Sequence, residues 1–276
     1  MYFLGMDGGG TGCRAILSDS DGQILGEGRA GPANMASDFE GARGNIMRAA
    51  EQALAGRDPG RVRAVLGLAG SNFSGMGARM EAALPFRARV VQDVTTSVRG
   101  ALGQADGIVA AIGTGSVCAR QLGGQIRTIG GWGLRLGDEA SGAWIGRALL
   151  MRATRMLDGY IPPTPLLAQT AGELGGAPGI VTFSLRATPA EYAALAPRVL
   201  AAEATDAAAA HVLDAARAEI RAAILILQPR EAPLPVTWIG GLGPALALAD
   251  WPMQSPLGTS LDGALLMARE ESTWQT

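Results

Sequence analysis

The chain has 276 residues, 48% of them apolar, and a formal net charge of −2 carried by 23 Lys+Arg against 25 Asp+Glu. Every basic residue is an arginine, which excludes a Gly-Lys-Ser/Thr phosphate loop and Schiff-base chemistry on a lysine amine. One histidine excludes a His-rich zinc site, two well-separated cysteines exclude an intrachain CxxC cluster site, and the small net charge gives no footing for nucleic acid or an anionic membrane.

The first apolar strand runs out into Asp7-Gly8-Gly9-Gly10-Thr11-Gly12, a carboxylate followed by a glycine run. Such a turn lets backbone N–H groups approach phosphate oxygens, and Asp7 can hold a magnesium ion through water. Residues 13–17 read as a second strand, Asp19-Ser20-Asp21-Gly22 as a turn and residues 23–28 as a third strand. This antiparallel meander stands where a dinucleotide fold would need a helix. Asn34 follows in the loop Gly31-Pro32-Ala33-Asn34, where a neutral amide that donates and accepts suits neighbouring hydroxyls, or a left-handed loop backbone.

Ser37-Asp38-Phe39-Glu40 predicts a capping box opening a helix to about Gly56, with Phe39, Ala42, Ile46, Ala49, Ala53 and Leu54 on its buried stripe. Residues 62–68 then read as a strand, 76–84 as a helix, 88–92 as a strand and 95–102 as a helix, which implies a mixed sheet flanked by helices. Asp93 sits where that last strand ends. Local sequence leaves two roles open for it, a carboxylate that takes a proton from a reacting hydroxyl or the N-cap of the next helix.

Residues 107–112, the turn Gly113-Thr114-Gly115-Ser116, residues 117–122, the tight Gly123-Gly124 and residues 125–129 repeat the opening: strand, phosphate-type turn, strand, turn, strand. A duplicated unit with two such turns suggests two similar lobes around one polyphosphate. Asp138 and Glu139 are expected to open a long helix toward Leu157 and to favour its N-terminus by charge. Between 160 and 227 the sequence predicts a proline-rich loop and two alanine-rich helices, 189–205 and 206–227, the second carrying His211 as an ordinary helix residue. Residues 236–239 form a further strand before Gly240-Gly241. The N-terminus has neither a basic nor an apolar leader pattern and no apolar run reaches membrane length, so a reducing cytoplasmic setting is expected.

Asp7-Gly8-Gly9-Gly10-Thr11, Gln92-Asp93, Gly113-Thr114-Gly115-Ser116, Gly130-Gly131-Trp132-Gly133 with Gly137-Asp138-Glu139, and Ile239-Gly240-Gly241 together resemble the ordered motifs of the BadF/BadG-type ATPase and N-acetylglucosamine kinase group. That group shares the fold of actin, hexokinase and Hsp70. The stretches Ala33-Asn34-Met35 and Asp262-Gly263-Ala264-Leu265 look most like bacterial glucosamine kinases. The resemblance implies an α/β protein of two ribonuclease H-like lobes, 1–104 and 105–276, each with a mixed five-stranded sheet and with a cleft between them. The segment near 261–270 is a candidate to pack back on the first lobe.

It further implies transfer of the γ-phosphoryl group of ATP to the 6-hydroxyl of glucosamine or N-acetylglucosamine. Asp93 is then the general base and a sugar ligand, with Asn34, Ser116, Gly131, Trp132, Gly133 and Asp138 completing the sugar site. Gly9, Gly10, Thr11, Gly113, Thr114 and Gly115 take the phosphates, Gly240 and Gly241 make room for adenosine, and Asp7 positions hydrated magnesium. Members of the group are commonly dimeric, which makes a homodimer an expectation. Two rivals stand beside this reading: an ATP-hydrolysing activator of another enzyme, which needs paired cysteines for a bridging cluster, and a kinase-like sugar sensor.

Overall fold

The computed structural model describes residues 1–71, 75–270 and 274. In chain order the elements are β1 (Tyr2–Gly8), β2 (Cys13–Ser18), β3 (Ile24–Ala30), α1 (Phe39–Leu54), β4 (Val62–Leu68), α2 (Met76–Ala82), β5 (Arg87–Gln92) and α3 (Asp93–Leu102). There follow β6 (Gly107–Ile112), β7 (Ser116–Leu122), β8 (Gln125–Gly130), α4 (Gly142–Leu157), α5 (Pro165–Glu173), α6 (Gly176–Arg186), α7 (Pro189–Ala193), α8 (Ala196–Ala202), α9 (Ala207–Leu227), β9 (Val236–Ile239) and α10 (Ser260–Arg269). The chain divides into two compact units. The first comprises residues up to Asp106, Gln121–Ile126 and the chain from Ser255; the second comprises Gly107–Arg120 and Arg127–Gln254.

The first unit is built on a five-stranded sheet of order β3-β2-β1-β4-β5, with β1 antiparallel to β2 and parallel to β4, and β4 parallel to β5. Alternation along β4 sorts its side chains between two faces: Ala64, Leu66 and Leu68 join the core that includes Ile46 and Ala49 of α1, whereas Val65 packs with Ala264 and Ala268 of α10. Burial of these apolar stripes is what holds each helix to its face. Helices α3 and α10 meet through glycine. A Cβ on Gly100 would collide with the carbonyl oxygen of Thr259, and one on Gly263 with the carbonyl oxygen of Thr96 and the amide nitrogen of Gly100.

The second sheet has the order β8-β7-β6-β9, with β6 parallel to β9. This repeats β3-β2-β1-β4 strand for strand, as the duplicated sequence pattern implied. Its apolar core joins Ile108, Ala110 and Ile112 to Ile145 and Leu149 of α4, Leu167 of α5 and Val212, Leu213, Ile220 and Ile224 of α9. Where five strands were expected, this sheet has four among the described residues. The fifth position is reduced to a single parallel bridge between Val236 and Met253, with Val236 N–H donating to Pro252 O and Gln254 N–H to Val236 O. Pro252 and Pro256 flank that bridge and have no N–H with which to extend a ladder.

Local expectations needed correction at several points. The cap of α1 is Asp38, whose Oδ1 accepts the Gly41 N–H at 2.9 Å, while the Ser37 hydroxyl donates back to Asn34 O at 3.1 Å. Ser37 is held by that turn, so the extended residue at which capping geometry is available comes one position later. The helix toward Leu157 begins at Gly142 under a Ser141 cap, so Asp138 and Glu139 lie in the loop before it. Residues 189–205 form two short helices, because Pro197 lacks the N–H that a continuous helix would use. Helices α5 and α6 lie between the proline-rich loop and residue 189, a stretch for which the sequence carried no expectation.

Cys13 and Cys118 are free and buried, and burial pushes both thiols up to about 12. His211 is exposed on α9. Among the described residues no helix is long and apolar enough to cross a membrane.

The α3–α10 contact yields a direct test. Gly263→Ala forces the two helices apart and is expected to cost about 1–3 kcal/mol, the usual penalty of overpacking. Chemical unfolding followed by tryptophan fluorescence should show a lowered midpoint, and an unchanged midpoint would mean that the contact yields freely.

Candidate active site

In the first unit the β1–β2 register sets Asp7 opposite Arg14, and Arg14 Nη2 donates to Asp7 Oδ2 at 2.6 Å. The turn between these strands is closed by Gly9 N–H donating to Gly12 O at 3.0 Å. Its carbonyls are held from the side, Gly8 O by Ala69 N–H at 2.9 Å and Gly9 O by Ala33 N–H at 2.8 Å. Thr11 and Gly10 are exposed, and a Cβ built on Gly9 or Gly10 meets no atom within 4 Å. The turn is therefore pinned from behind and open in front, the arrangement by which consecutive backbone amides cradle an anion.

The same stitching positions the next two candidates. Met35 N–H donates to Ala69 O at 3.1 Å, and the intervening Asn34 turns its Oδ1 back onto Ala36 N–H at 3.0 Å, leaving Nδ2 outside that turn. Asp93 is the first residue of α3, directly after β5. Its Oδ1 accepts Val94 N–H at 2.9 Å, and its backbone oxygen accepts the hydroxyls of Thr96 and Ser97, both at 2.9 Å. The N-cap position falls to Gln92, which makes no side-chain cap. Desolvation by the surrounding protein raises the Asp93 pKa above the ordinary aspartate value, the Val94 N–H opposes it, and the Asp7 charge adds to it. The residue still keeps accessible surface, so the shift comes from neighbouring low-dielectric mass rather than a sealed pocket.

In the second unit the turn Gly113–Ser116 is held in the same manner. Gly113 N–H donates to Gly115 O at 2.9 Å, Ile112 O accepts Leu242 N–H at 3.0 Å, and Gly113 O accepts Gly142 N–H at 2.8 Å. Thr114 is exposed, and a Cβ on Gly113 meets nothing within 4 Å. Gly240, at φ +83, follows β9 so closely on β6 that a Cβ there would collide with Ile112 O, whereas around Gly241 the space is open. The hydroxyl of Ser116 donates to Glu139 O at 2.6 Å and its carbonyl accepts Gly131 N–H at 3.0 Å.

Asp138 is buried at φ +58, a left-handed backbone uncommon for a residue with a side chain. Its Oδ1 accepts Gly133 N–H at 3.0 Å. Burial raises its pKa, the Gly133 amide lowers it, and the nearby Glu139 charge raises it. Gly133 O is occupied as well, by Leu136 and Gly137 N–H groups. Trp132, in contrast, is 70% exposed.

The structure thus brings Asp7, Gly9, Gly10, Thr11, Asn34 and Asp93 to the strand exits of the first sheet. Gly113, Thr114, Gly115, Ser116, Gly131, Trp132, Gly133, Asp138, Gly240 and Gly241 gather at the corresponding exits of the second. Arg14 was missed from the sequence, although counting the hairpin outward from its turn pairs it with Asp7. Asp7 fits a magnesium ion held through waters: it is one carboxylate with one oxygen already on Arg14, and no group of three or more metal-binding side chains occurs among the described residues.

Two sheets of one strand order, each with an open glycine turn after its first strand, define the duplicated ribonuclease H-like class of α/β proteins expected from the sequence. Within that class the BadF/BadG/BcrA/BcrD ATPase family model matches residues 4–250, and the chain belongs to this family. It is 29% identical to the glucosamine kinase GspK of Vibrio cholerae over 97% of this chain and 95% of that protein. A solved structure from Chromobacterium violaceum, named as a candidate N-acetylglucosamine kinase, superposes with a TM-score of 0.87 at 33% identity, covering 98% of this chain and 99% of the other. A glucokinase of Streptomyces griseus solved with glucose and AMPPNP shares the fold at a TM-score of 0.58 and 19% identity, over 98% of this chain and 99% of that one.

The raised pKa of Asp93 implies a cost. A carboxyl whose folded pKa lies above its unfolded value destabilises the fold once ionised, and that penalty is relieved as pH falls through the folded value. Asp93→Asn keeps an acceptor for Val94 N–H and removes the charge. It is expected to raise the thermal midpoint at neutral pH, with the gain shrinking toward acid pH; a lower midpoint at every pH would contradict the shift.

Proposed function

We propose that the chain is an ATP-dependent amino-sugar kinase that transfers the γ-phosphoryl group to the 6-hydroxyl of glucosamine or N-acetylglucosamine. The observation that carries this reading is Asp93, a proton-seeking carboxylate at a strand exit of the sheet that also bears Asp7 and the first glycine turn. In the proposed reaction the hydroxyl proton passes to Asp93 as the new oxygen–phosphorus bond forms and the bond from the γ-phosphorus to the β–γ bridging oxygen breaks. Asn34 offers its Nδ2 to a sugar hydroxyl. Trp132 offers an exposed ring face to the apolar side of the pyranose.

The exposed Thr11 and Thr114 hydroxyls and the amides of their turns take phosphate oxygens, and the open space at Gly241 takes adenosine. Magnesium, placed through water by Asp7, supplies neutralisation of the phosphate charge when bound. With no lysine in the chain, fixed backbone dipoles and arginine carry the remaining electrostatic load.

The cysteines weigh against the activator reading, because both thiols are buried in separate units rather than available to a bridging cluster. Free thiols are stable in the reducing cytoplasm, where we place the activity.

A coupled ADP-release assay with glucosamine, N-acetylglucosamine and glucose tests the proposal, with turnover expected on at least one of the amino sugars and less on glucose. Asp93→Asn should lose roughly 10²–10⁴-fold in kcat, the contribution of a positioned general base, with the KM for ATP little changed. The base must be ionised, so kcat/KM is expected to fall with decreasing pH through a value above the ordinary aspartate pKa. Full activity in this variant would remove Asp93 from the mechanism. Asp7→Ala should raise the magnesium concentration needed for half-maximal rate, and an unshifted magnesium curve would assign the ion elsewhere.

A further inference from the structure

Glu139, next to the buried Asp138, is fixed through its backbone and left open at its side chain. Ser116 Oγ donates to Glu139 O at 2.6 Å, and Ser141 N–H donates to the neighbouring Asp138 O at 3.0 Å. The residues on either side, Asp138 and Ala140, both hold positive φ, +58 and +66. Left-handed backbone at residues with side chains persists only where the surroundings over-determine it. Its effect here is to turn two side chains inward and one outward, since Asp138 and Ala140 are buried and Glu139 is exposed. Among the described residues the Glu139 carboxylate receives no hydrogen bond and joins no ion pair.

Trp132 stands beside it. A Cβ built on Gly137 would lie 3.3 Å from Glu139 Oε2, 3.3 Å from Trp132 Cβ and 3.6 Å from Trp132 Cδ1, so carboxylate and indole both close over the bare Gly137 backbone. The loop that carries the indole is anchored underneath, by Gly133 N–H on Asp138 Oδ1 at 3.0 Å, Gly137 N–H on Gly133 O at 2.8 Å and Arg147 Nη1 on Leu134 O at 2.9 Å. The Trp132 ring remains largely exposed. An open indole and an unpaired carboxylate, side by side on a pinned loop, offer the two contacts that an alkylammonium takes: charge-assisted hydrogen bonds to the oxygens and the attraction of the ring face for a cation. An acetamido group carries no charge and gains neither the ion pair nor the cation–ring attraction.

Resting on the kinase reading above, we propose that Glu139 and Trp132 read the 2-position of the sugar and select glucosamine, as its 2-ammonium form, over N-acetylglucosamine. Glu139 is thereby a specificity-determining residue beside Asp138, which serves the ring hydroxyls on that reading. In water such an exposed charge pair gains little. A bound sugar covers the pair, and the attraction strengthens as water leaves. Selectivity then arises as a difference of affinities at one substituent while the rest of the ring is held alike.

Steady-state kinetics with glucosamine, N-acetylglucosamine and glucose test this. The unaltered protein is expected to show a higher kcat/KM on glucosamine than on N-acetylglucosamine. Glu139→Gln keeps the size of the side chain and removes its charge, and should lower the glucosamine to N-acetylglucosamine ratio of kcat/KM roughly 10-fold or more, the worth of a hydrogen bond to a charged group, through KM rather than kcat. Trp132→Leu keeps apolar bulk without the ring and should move the ratio the same way by a smaller factor. Calorimetry supplies a readout independent of turnover: added salt should weaken glucosamine binding to the unaltered protein and leave N-acetylglucosamine binding nearly unchanged.

A preference of the unaltered protein for N-acetylglucosamine overturns the inference and leaves the kinase reading intact. So does a Glu139→Gln variant that loses all three sugars by one factor, which would make Glu139 a support of the ring-hydroxyl site. If that variant does not fold, equal salt dependence for the two amino sugars overturns the inference in its place. An unaltered protein that neither binds nor phosphorylates an amino sugar overturns the functional reading together with this one.

Discussion

In both units, two consecutive carbonyls at the end of the first strand are held from the side by backbone amides of segments far away in sequence. Gly8 and Gly9 are engaged by Ala69 and Ala33, Ile112 and Gly113 by Leu242 and Gly142. This double anchoring fixes where each glycine turn stands and directs its hydrogen-bonding capacity inward through oxygen. Backbone N–H groups of such a turn attract phosphate. The rest of the candidate site is arranged around these anchors: Asn34 and Met35 follow Ala33, Gly70 follows Ala69, α4 starts at Gly142, and Gly240-Gly241 precedes Leu242.

The chain handles acidic groups in two different ways around those turns. Asp7 is paired with Arg14, and the buried Asp138 accepts the Gly133 amide. Asp93 receives a single amide and is left in a desolvated setting with a like charge nearby. Burial raises the pKa of both Asp93 and Asp138, and of the two only Asp93 keeps substantial accessible surface.

The close approach of α3 and α10 has a compositional cause. Glycines at the α3–α10 crossing let backbone meet backbone, which removes side-chain freedom as a source of slack. Because α10 comes from the C-terminal end of the chain and packs on β1 and β4 through residues such as Ala264 and Ala268, the first unit is complete only when its last helix is in place. An architecture of two similar sheets thus acquires one asymmetric closure.

Period-two alternation, glycine turns and the repeated strand–turn–strand pattern made β1 to β5, the β6–β8 repeat and the strand before Gly240 legible from the residues alone, because those signals depend only on neighbours along the chain. Asp93 at a strand exit was legible for the same reason. The sequence could not decide that Asp38 rather than Ser37 caps α1, that the second sheet has four strands among the described residues, or that α6 forms beyond Gly175-Gly176. Those outcomes turn on competition between local options, settled by the turn at Asn34, by Pro252 and Pro256 beside β9, and by a core that buries Ile180. Nor could it show that Asp138 is buried with an oxygen on Gly133 N–H, or that the surrounding protein raises the Asp93 pKa. Whether a carboxylate is saturated, paired or left proton-hungry depends on amides and charges brought from elsewhere in the fold, and only the tertiary structure supplies them.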